Sequence, residues 1–170
     1  MSIQPRVRRM TLADIDQVHA IELLAFSSPW SKESLQGELT INPVARYLVV
    51  EDEISRQIIA YAGIWLILEE GHITNIAVHP DYRRQGYGRF VMLELLKLAC
   101  CFGVKAATLE VRPSNLAAIN LYQSLDFSLA GLRPGYYTDN GEDALILWKD
   151  GIEDMIVSEE ECIHVYEARE

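Results

Sequence analysis

The sequence predicts one mixed α/β (α+β) domain, a sheet of about seven strands covered by about four helices. Three observations predict it. In the first half of the chain, apolar segments of strand length follow one another across short turns, as hairpins do. In the second half, strands alternate with helical patterns, as in strand–helix–strand units. The chain has 170 residues, 49% of them apolar, enough for one buried core without staples.

Arg6–Arg9 alternates as a short first strand. Thr11 followed by Asp14 resembles a capping box, and Leu12, Ile15, Val18 and Ile21 continue a helical stripe. Pro29-Trp30-Ser31 interrupts that stripe, and Ser31 can cap a second short helix to about Leu39. Tyr47–Glu51 reads as a strand, Asp52–Arg56 as a turn, and Ile58–Leu68 as a long buried strand. That last stretch is the longest apolar run, and its 11 residues are too few to span a membrane. Glu69-Glu70-Gly71 turns the chain into the strand His72–Val78. A helix follows Gly88 to about Phe102, then a strand over Lys105–Val111 and a helix over Asn115–Leu125. Phe127–Leu132 and Ala144–Trp148 close the sheet, with Gly135 to Gly141 between them. The domain thus takes residues 1–148. Residues 149–170 form an extension without clear period, either docked or partly disordered.

The net charge is −10, from 15 basic and 25 acidic residues. From Lys149 to Glu170 there are two basic and eight acidic residues, a local −6 that leaves −4 for residues 1–148. This balance argues against binding nucleic acid through its phosphates. It suits a basic acceptor, although acidic tails also serve simply to solvate. Met1–Arg9 has basic residues but no apolar signal core behind them. Of three cysteines, Cys100 and Cys101 are adjacent within a helical pattern, which is neither a disulfide framework nor a metal-ligand spacing. The expectation is a reduced, cytoplasmic protein with no metal and no membrane span.

Candidate chemistry begins at Arg83-Arg84-Gln85-Gly86-Tyr87-Gly88, between a strand and a helix. Backbone N–H groups at a helix N-terminus are free to meet an anion. Gly86 and Gly88 let the main chain approach a pyrophosphate, and Arg83 and Arg84 add positive charge. A P-loop is excluded because no Gly-Lys-Ser/Thr follows. The dinucleotide fingerprint fails because Val91 stands where a third small residue is needed. A glycine-rich turn with solvated arginines fits the hexapeptide alone equally well.

Glu110 lies at the end of a strand among the apolar residues Ala106, Ala107, Leu109 and Val111, so it lies at the sheet's edge or in a polar cleft. Asn115 and Tyr122 lie two turns apart on one helix face, with small Ala118 between them. Asn115 serves as a cap, a ligand or both; Tyr122 serves as core or as a functional phenol.

These residues together resemble the GNAT superfamily of N-acetyltransferases, whose Arg/Gln-x-x-Gly-x-Gly/Ala signature is matched by Arg83, Gly86 and Gly88. Within it the chain resembles the bacterial ribosomal-protein alanine N-acetyltransferase (RimI) family. The resemblance runs through Pro29-Trp30-Ser31, Asn75-Ile76-Ala77-Val78-His79-Pro80, Leu109 to Asn115, Ala117 to Tyr122 and Tyr136-Tyr137, and spans residues 3–148. It implies a mostly antiparallel sheet and acetyl-CoA as co-substrate. The thioester end would lie against Ile76, Ala77 and Val78, with the pantetheine between that strand and the one ending at Glu110. The pyrophosphate would rest on backbone amides from Arg84 through Gln85, Gly86, Tyr87 and Gly88 to Arg89, and Asn115 would touch the cofactor. Glu110 is implied as base and Tyr122 as acid, while Trp30, Tyr136 and Tyr137 shape the acceptor groove. The implied acceptor is the N-terminal alanine of the eighteenth protein of the small ribosomal subunit. A small amine, a lysine side chain, and a silent acetyl-CoA-binding module remain as alternatives. Two departures, His72 at a place many members make acidic and the long acidic extension, lie outside the acetyl-CoA elements and bear on the acceptor.

Overall fold

The computed structural model describes residues 3–166. Met1, Ser2 and residues 167–170 of the extension lie outside the described residues. Strand β1 (Pro5–Arg9) leads through a 3-10 turn at Leu12–Asp14 into α1 (Ile15–Ala25) and α2 (Lys32–Thr40). The 3-10 turn and α2 start from side-chain caps: the Asp14 carboxylate accepts the Thr11 N–H at 2.8 Å, and Ser31 Oγ accepts the Ser34 N–H at 3.1 Å. Strands β2 (Ala45–Asp52), β3 (Ile58–Ile67) and β4 (Glu70–Val78) form a meander. Then come α3 (Tyr87–Cys101), β5 (Ala106–Val111), α4 (Leu116–Gln123), β6 (Ser128–Arg133) and β7 (Ala144–Lys149).

The seven strands form one sheet in the order β1-β2-β3-β4-β5-β7-β6. Every neighbouring pair is antiparallel except β4 and β5. β3 reads as a continuous apolar run because both of its faces are covered. Ile59, Ala60, Ala62 and Ile64 pack with Met92, Leu95 and Leu96 of α3, while Ile58 and Tyr61 pack with Val18, Ile21 and Leu35 of α1 and α2. A bulge in β4 opposite Gly63 and Ile64 skips one residue in the register.

Of the two readings left open for the extension, the described part is docked. A fifth helix, α5 (Glu159–Tyr166), follows a 3-10 turn at Ile152–Asp154 whose Ile152 is fully buried in the main core. One expectation is corrected: a disulfide is present, because Cys101 pairs with Cys162. α5 folds back along the end of α3 and brings the two Cα atoms to 5.6 Å, inside bridging range. A separation of 61 residues gives no local signal for that pairing.

Candidate active site

The parallel ladder between β4 and β5 has only three steps, Glu70–Ala106, Gly71–Ala107 and His72–Thr108. Beyond it the strands stop pairing, and a cleft opens in the middle of the sheet. The His79 N–H donates to the Ile59 carbonyl at 2.8 Å, while Ala60 faces Val78 and Ala62 faces Ile76. Hydrogen-bonded and non-bonded pairs alternate in an antiparallel ladder, so Ile76 and Val78 turn their own N–H and C=O groups away from β3, into that cleft. The Val78 carbonyl indeed accepts Arg83 Nε at 3.1 Å. Ile76 and Val78 pack at the margin of the α3 core, whereas Ala77 is buried on the α1 side.

At the end of the cleft, Gly86 caps α3 with φ of +88°, a conformation that glycine adopts without strain. Arg84 also stands in the left-handed region, at +62°. The first helical bond runs from Phe90 N–H to the Gly86 carbonyl. The N–H groups of Tyr87, Gly88 and Arg89 therefore open outward at the positive end of the helix. A Cβ on Gly88 would lie 3.4 Å from Leu121 and 3.6 Å from Val78, so this turn sits directly between β4 and α4. Arg83, Arg84 and Gln85 are exposed. The Gln85 amide donates to the Asp81 carbonyl at 3.3 Å. Arg89 Nη1 donates to Ser124 Oγ at 2.9 Å, tying α3 to α4. This frame fits a diphosphate: main-chain donors at a helix start, with two arginines on the rim.

Glu110 sits on β5 with its side chain 9% exposed. The His72 Nε2 lies 2.6 Å from its Oε2, and Arg133 Nη2 lies 3.3 Å from its Oε1. The His72 hydrogen bond outweighs burial, and with Arg133 it holds the Glu110 carboxyl below the usual carboxylate range. An ionised carboxylate only accepts, so His72 Nε2 is the donor. The sequence sets His72 outside the acetyl-CoA elements, as a residue bearing on the acceptor; in the structure it touches Glu110, a contact the sequence did not indicate. The extension likewise reaches α3, through Cys162.

Tyr122 is buried in the α3 core, its ring tilted against Phe127 at 6.0 Å between centroids. Burial pushes its phenol above the usual tyrosine value, and the neighbouring Tyr137 adds to the shift. Tyr137 is itself pushed up to about 12 by burial, with the Arg112 guanidinium 3.8 Å above its ring. Tyr136 packs edge-on against Tyr137 at 5.1 Å. Arg112 grips Asp139 through both Oδ atoms, at 2.9 and 2.8 Å, and so fixes the β6–β7 loop. Ser27 Oγ donates to Asp139 Oδ2 at 2.6 Å and joins that loop to the end of α1.

The structure therefore brings Glu110, Tyr122 and Tyr137 into one neighbourhood, with Tyr136 at its edge. Trp30 belongs instead to a groove beside α2, and Asn115 is exposed at the start of α4, where its Oδ1 accepts the Ala118 N–H at 3.2 Å. Sequence reasoning missed Glu22, Arg112 and the pairing of His72. Glu22, 1% exposed, accepts the Trp30 N–H at 2.8 Å and the Asn75 amide at 3.1 Å, and burial raises its carboxyl. Its position one residue after Ile21 in the buried stripe was the available signal.

The likenesses to known proteins agree with this geometry. Residues 15–127 match the Acetyltransferase (GNAT) family. A Bacillus subtilis (strain 168) protein, provisionally named ribosomal protein bS18-alanine N-acetyltransferase, is 43% identical over 148 residues, 87% of this chain and 97% of that one. The Escherichia coli (strain K12) ribosomal protein bS18-alanine N-acetyltransferase is 38% identical over 143 residues, 83% of this chain and 94% of its own. The crystal structure of the ribosomal-protein-S18-alanine N-acetyltransferase from Escherichia coli superposes with a TM-score of 0.79 and 32% identity, over 92% of this chain and 97% of that one. A seven-stranded sheet that parts between β4 and β5, a glycine-capped helix at the cleft's end and relatives matched along nearly their whole length lead to one conclusion: the chain belongs to the acetyltransferase (GNAT) family.

Proposed function

We propose that this protein transfers the acetyl group of acetyl-CoA to the N-terminal alanine of ribosomal protein bS18, in the cytoplasm. The observation that supports this reading is a buried carboxylate, Glu110, beside the gap where β4 and β5 part, combined with relatives of that name aligned over most of this chain.

Acetyl-CoA supplies the thioester that the amine attacks. The main-chain N–H groups of residues 84–89 hold its diphosphate, with Arg83 and Arg84 at the rim. The cleft-facing backbone of Ile76 and Val78 lines up the pantetheine, and the Val78 N–H meets the negative charge that grows on the thioester oxygen. Asn115, already spent as a cap through its oxygen, offers its amide N–H groups to the cofactor. Tyr136 and Tyr137 on one side and Trp30 on the other border the acceptor.

An α-amino group titrates near 7.7–8.0, so about one in ten is neutral at pH 7, and deprotonating it costs about 1 kcal/mol, against nearly 5 for a lysine. A carboxylate that stays ionised suits that small task. Glu110 takes the proton directly or through a water as the amine attacks, and His72 and Arg133 fix its orientation. The Tyr122 phenol, held protonated by burial, donates a hydrogen bond to the departing sulfur. A thiol near 8.5 needs only that modest help.

A panel of alanine-first peptides with free and blocked N-termini tests the reading. Turnover confined to free N-termini is expected. Activity that survives blocking assigns the acceptor to a lysine.

A further inference from the structure

The groove that holds Trp30 contains a carboxylate without a cation. It measures about 470 Å³ and is lined by Trp30, Ser34, Gly37, Glu38, Ile41 and Asn42. Glu38, half-buried on α2, accepts Trp65 Nε1 at 2.6 Å and the Tyr47 hydroxyl at 3.2 Å through Oε2, and the Asn42 amide at 3.1 Å through Oε1. All three donors are neutral. They fix the carboxylate's direction and bring no positive charge to it.

The other carboxylates on this face differ. Glu110 has His72 and Arg133, and Asp139 and Glu142 share Arg112. Glu22 is sealed inside with only 1% exposure. Among the described residues, no lysine, arginine or histidine nitrogen lies within 4.0 Å of Glu38.

Glu38 is also continuous with the reaction centre. The Trp65 ring that donates to Glu38 packs edge-on against His72 at 5.9 Å, and His72 contacts Glu110 at 2.6 Å. An extended peptide with its amine at Glu110 would meet this wall if it followed the line from His72 through Trp65 to Glu38. Two residues span about 7 Å, and a long basic side chain covers the rest.

We propose that Glu38, with Trp30 and Trp65 beside it, is a specificity site that receives the lysine or arginine side chain of one of the two residues following the acetylated amine. This rests on the N-terminal acetylation proposed above. The rings shelter the pair from water and pack against the apolar stem, which strengthens a charge-assisted hydrogen bond.

The test compares free alanine-first peptides carrying lysine, alanine or glutamate at positions two and three. In the wild type, kcat/KM for the lysine peptide exceeds that for the alanine peptide by about tenfold, the factor that 1.4 kcal/mol corresponds to. Raising ionic strength toward about 1 M, where the Debye length is about 3 Å, compresses that ratio. Glu38→Gln brings it within about twofold of unity, with the KM for acetyl-CoA and the turnover of the alanine peptide unchanged. Glu38→Lys turns the preference toward glutamate. Equal turnover of all three peptides by the wild type, or a lysine preference that persists in Glu38→Gln, overturns the site. Wild-type inactivity on every free N-terminus instead overturns the underlying acetylation reading, and this site with it.

Discussion

His72 on β4 and Glu110 on β5 meet at 2.6 Å where their short parallel ladder ends. The contact keeps Glu110 ionised in a place where burial alone would favour its neutral form. The cleft therefore opens beside a charged carboxylate whose orientation is set from two sides.

If Glu110 accepts the amine's proton, Glu110→Gln lowers kcat/KM by about a hundredfold or more, the usual scale of general base catalysis. Binding of acetyl-CoA stays within about threefold. Steady-state kinetics across pH 6–9 with a free-amine peptide checks this; a loss under about threefold contradicts the role.

Because Glu110 sits below the usual range, the wild-type kcat/KM profile between pH 5 and 9 shows the amine's ionisation near 7.7–8.0 and no carboxylate inflection. His72→Phe removes the hydrogen bond and raises the Glu110 carboxyl, so an inflection enters the acid side. A group with a lowered folded-state pKa stabilises the fold above its unfolded value and loses that contribution as pH falls through the folded value. The variant is thus less stable than wild type at pH 7, and the difference shrinks on acidification. Urea unfolding at both pH values measures it.

Tyr122→Phe keeps the ring that packs against Phe127 and removes only the hydroxyl. We expect a loss in kcat of about tenfold with little change in the KM for acetyl-CoA. Equal losses in both would make Tyr122 a packing residue.

Gly86→Ala places a Cβ in open space but in a left-handed backbone, at φ +88°. The strain is on the order of 1 kcal/mol, and it falls where the diphosphate is held. Calorimetry is expected to show coenzyme A affinity reduced by about fivefold or more, with a modest loss of thermal stability.

Arg112→Ala frees Asp139, Glu142 and the face of Tyr137 together. The acceptor KM rises, and the KM for acetyl-CoA holds. Arg112→Lys does not restore the wild-type value, since one ammonium cannot hold Asp139 and Glu142 at once as the two guanidinium nitrogens do.

The strands of the sheet and four of the helices were legible because their signals are local. Alternation marks β1, Ser31 and Asn115 mark helix starts as caps, and the apolar length of β3 matches its two covered faces. The glycine turn was legible for the same reason, since its positive φ is written into residue type. What the sequence concealed depends on register between distant segments. His72 and Glu110 are 38 residues apart, and nothing in either strand states that they lie side by side. Cys101 and Cys162 meet only because α5 folds back along α3, and Arg112 organises a loop nearly thirty residues further on. Glu38 reads as an ordinary helix-surface acid until Trp65 and Tyr47 are seen to converge on it.

The central claim is that the cleft beside Glu110 delivers an acetyl group to an N-terminal α-amine. Incubating the purified protein with acetyl-CoA and unmodified bS18, then sequencing the acetylated peptide by mass spectrometry, tests it most directly. One acetyl group on the N-terminal alanine, absent when Glu110→Gln replaces the wild type, is the expected result. Acetylation on lysine side chains, or an N-terminus left unmodified, contradicts the account.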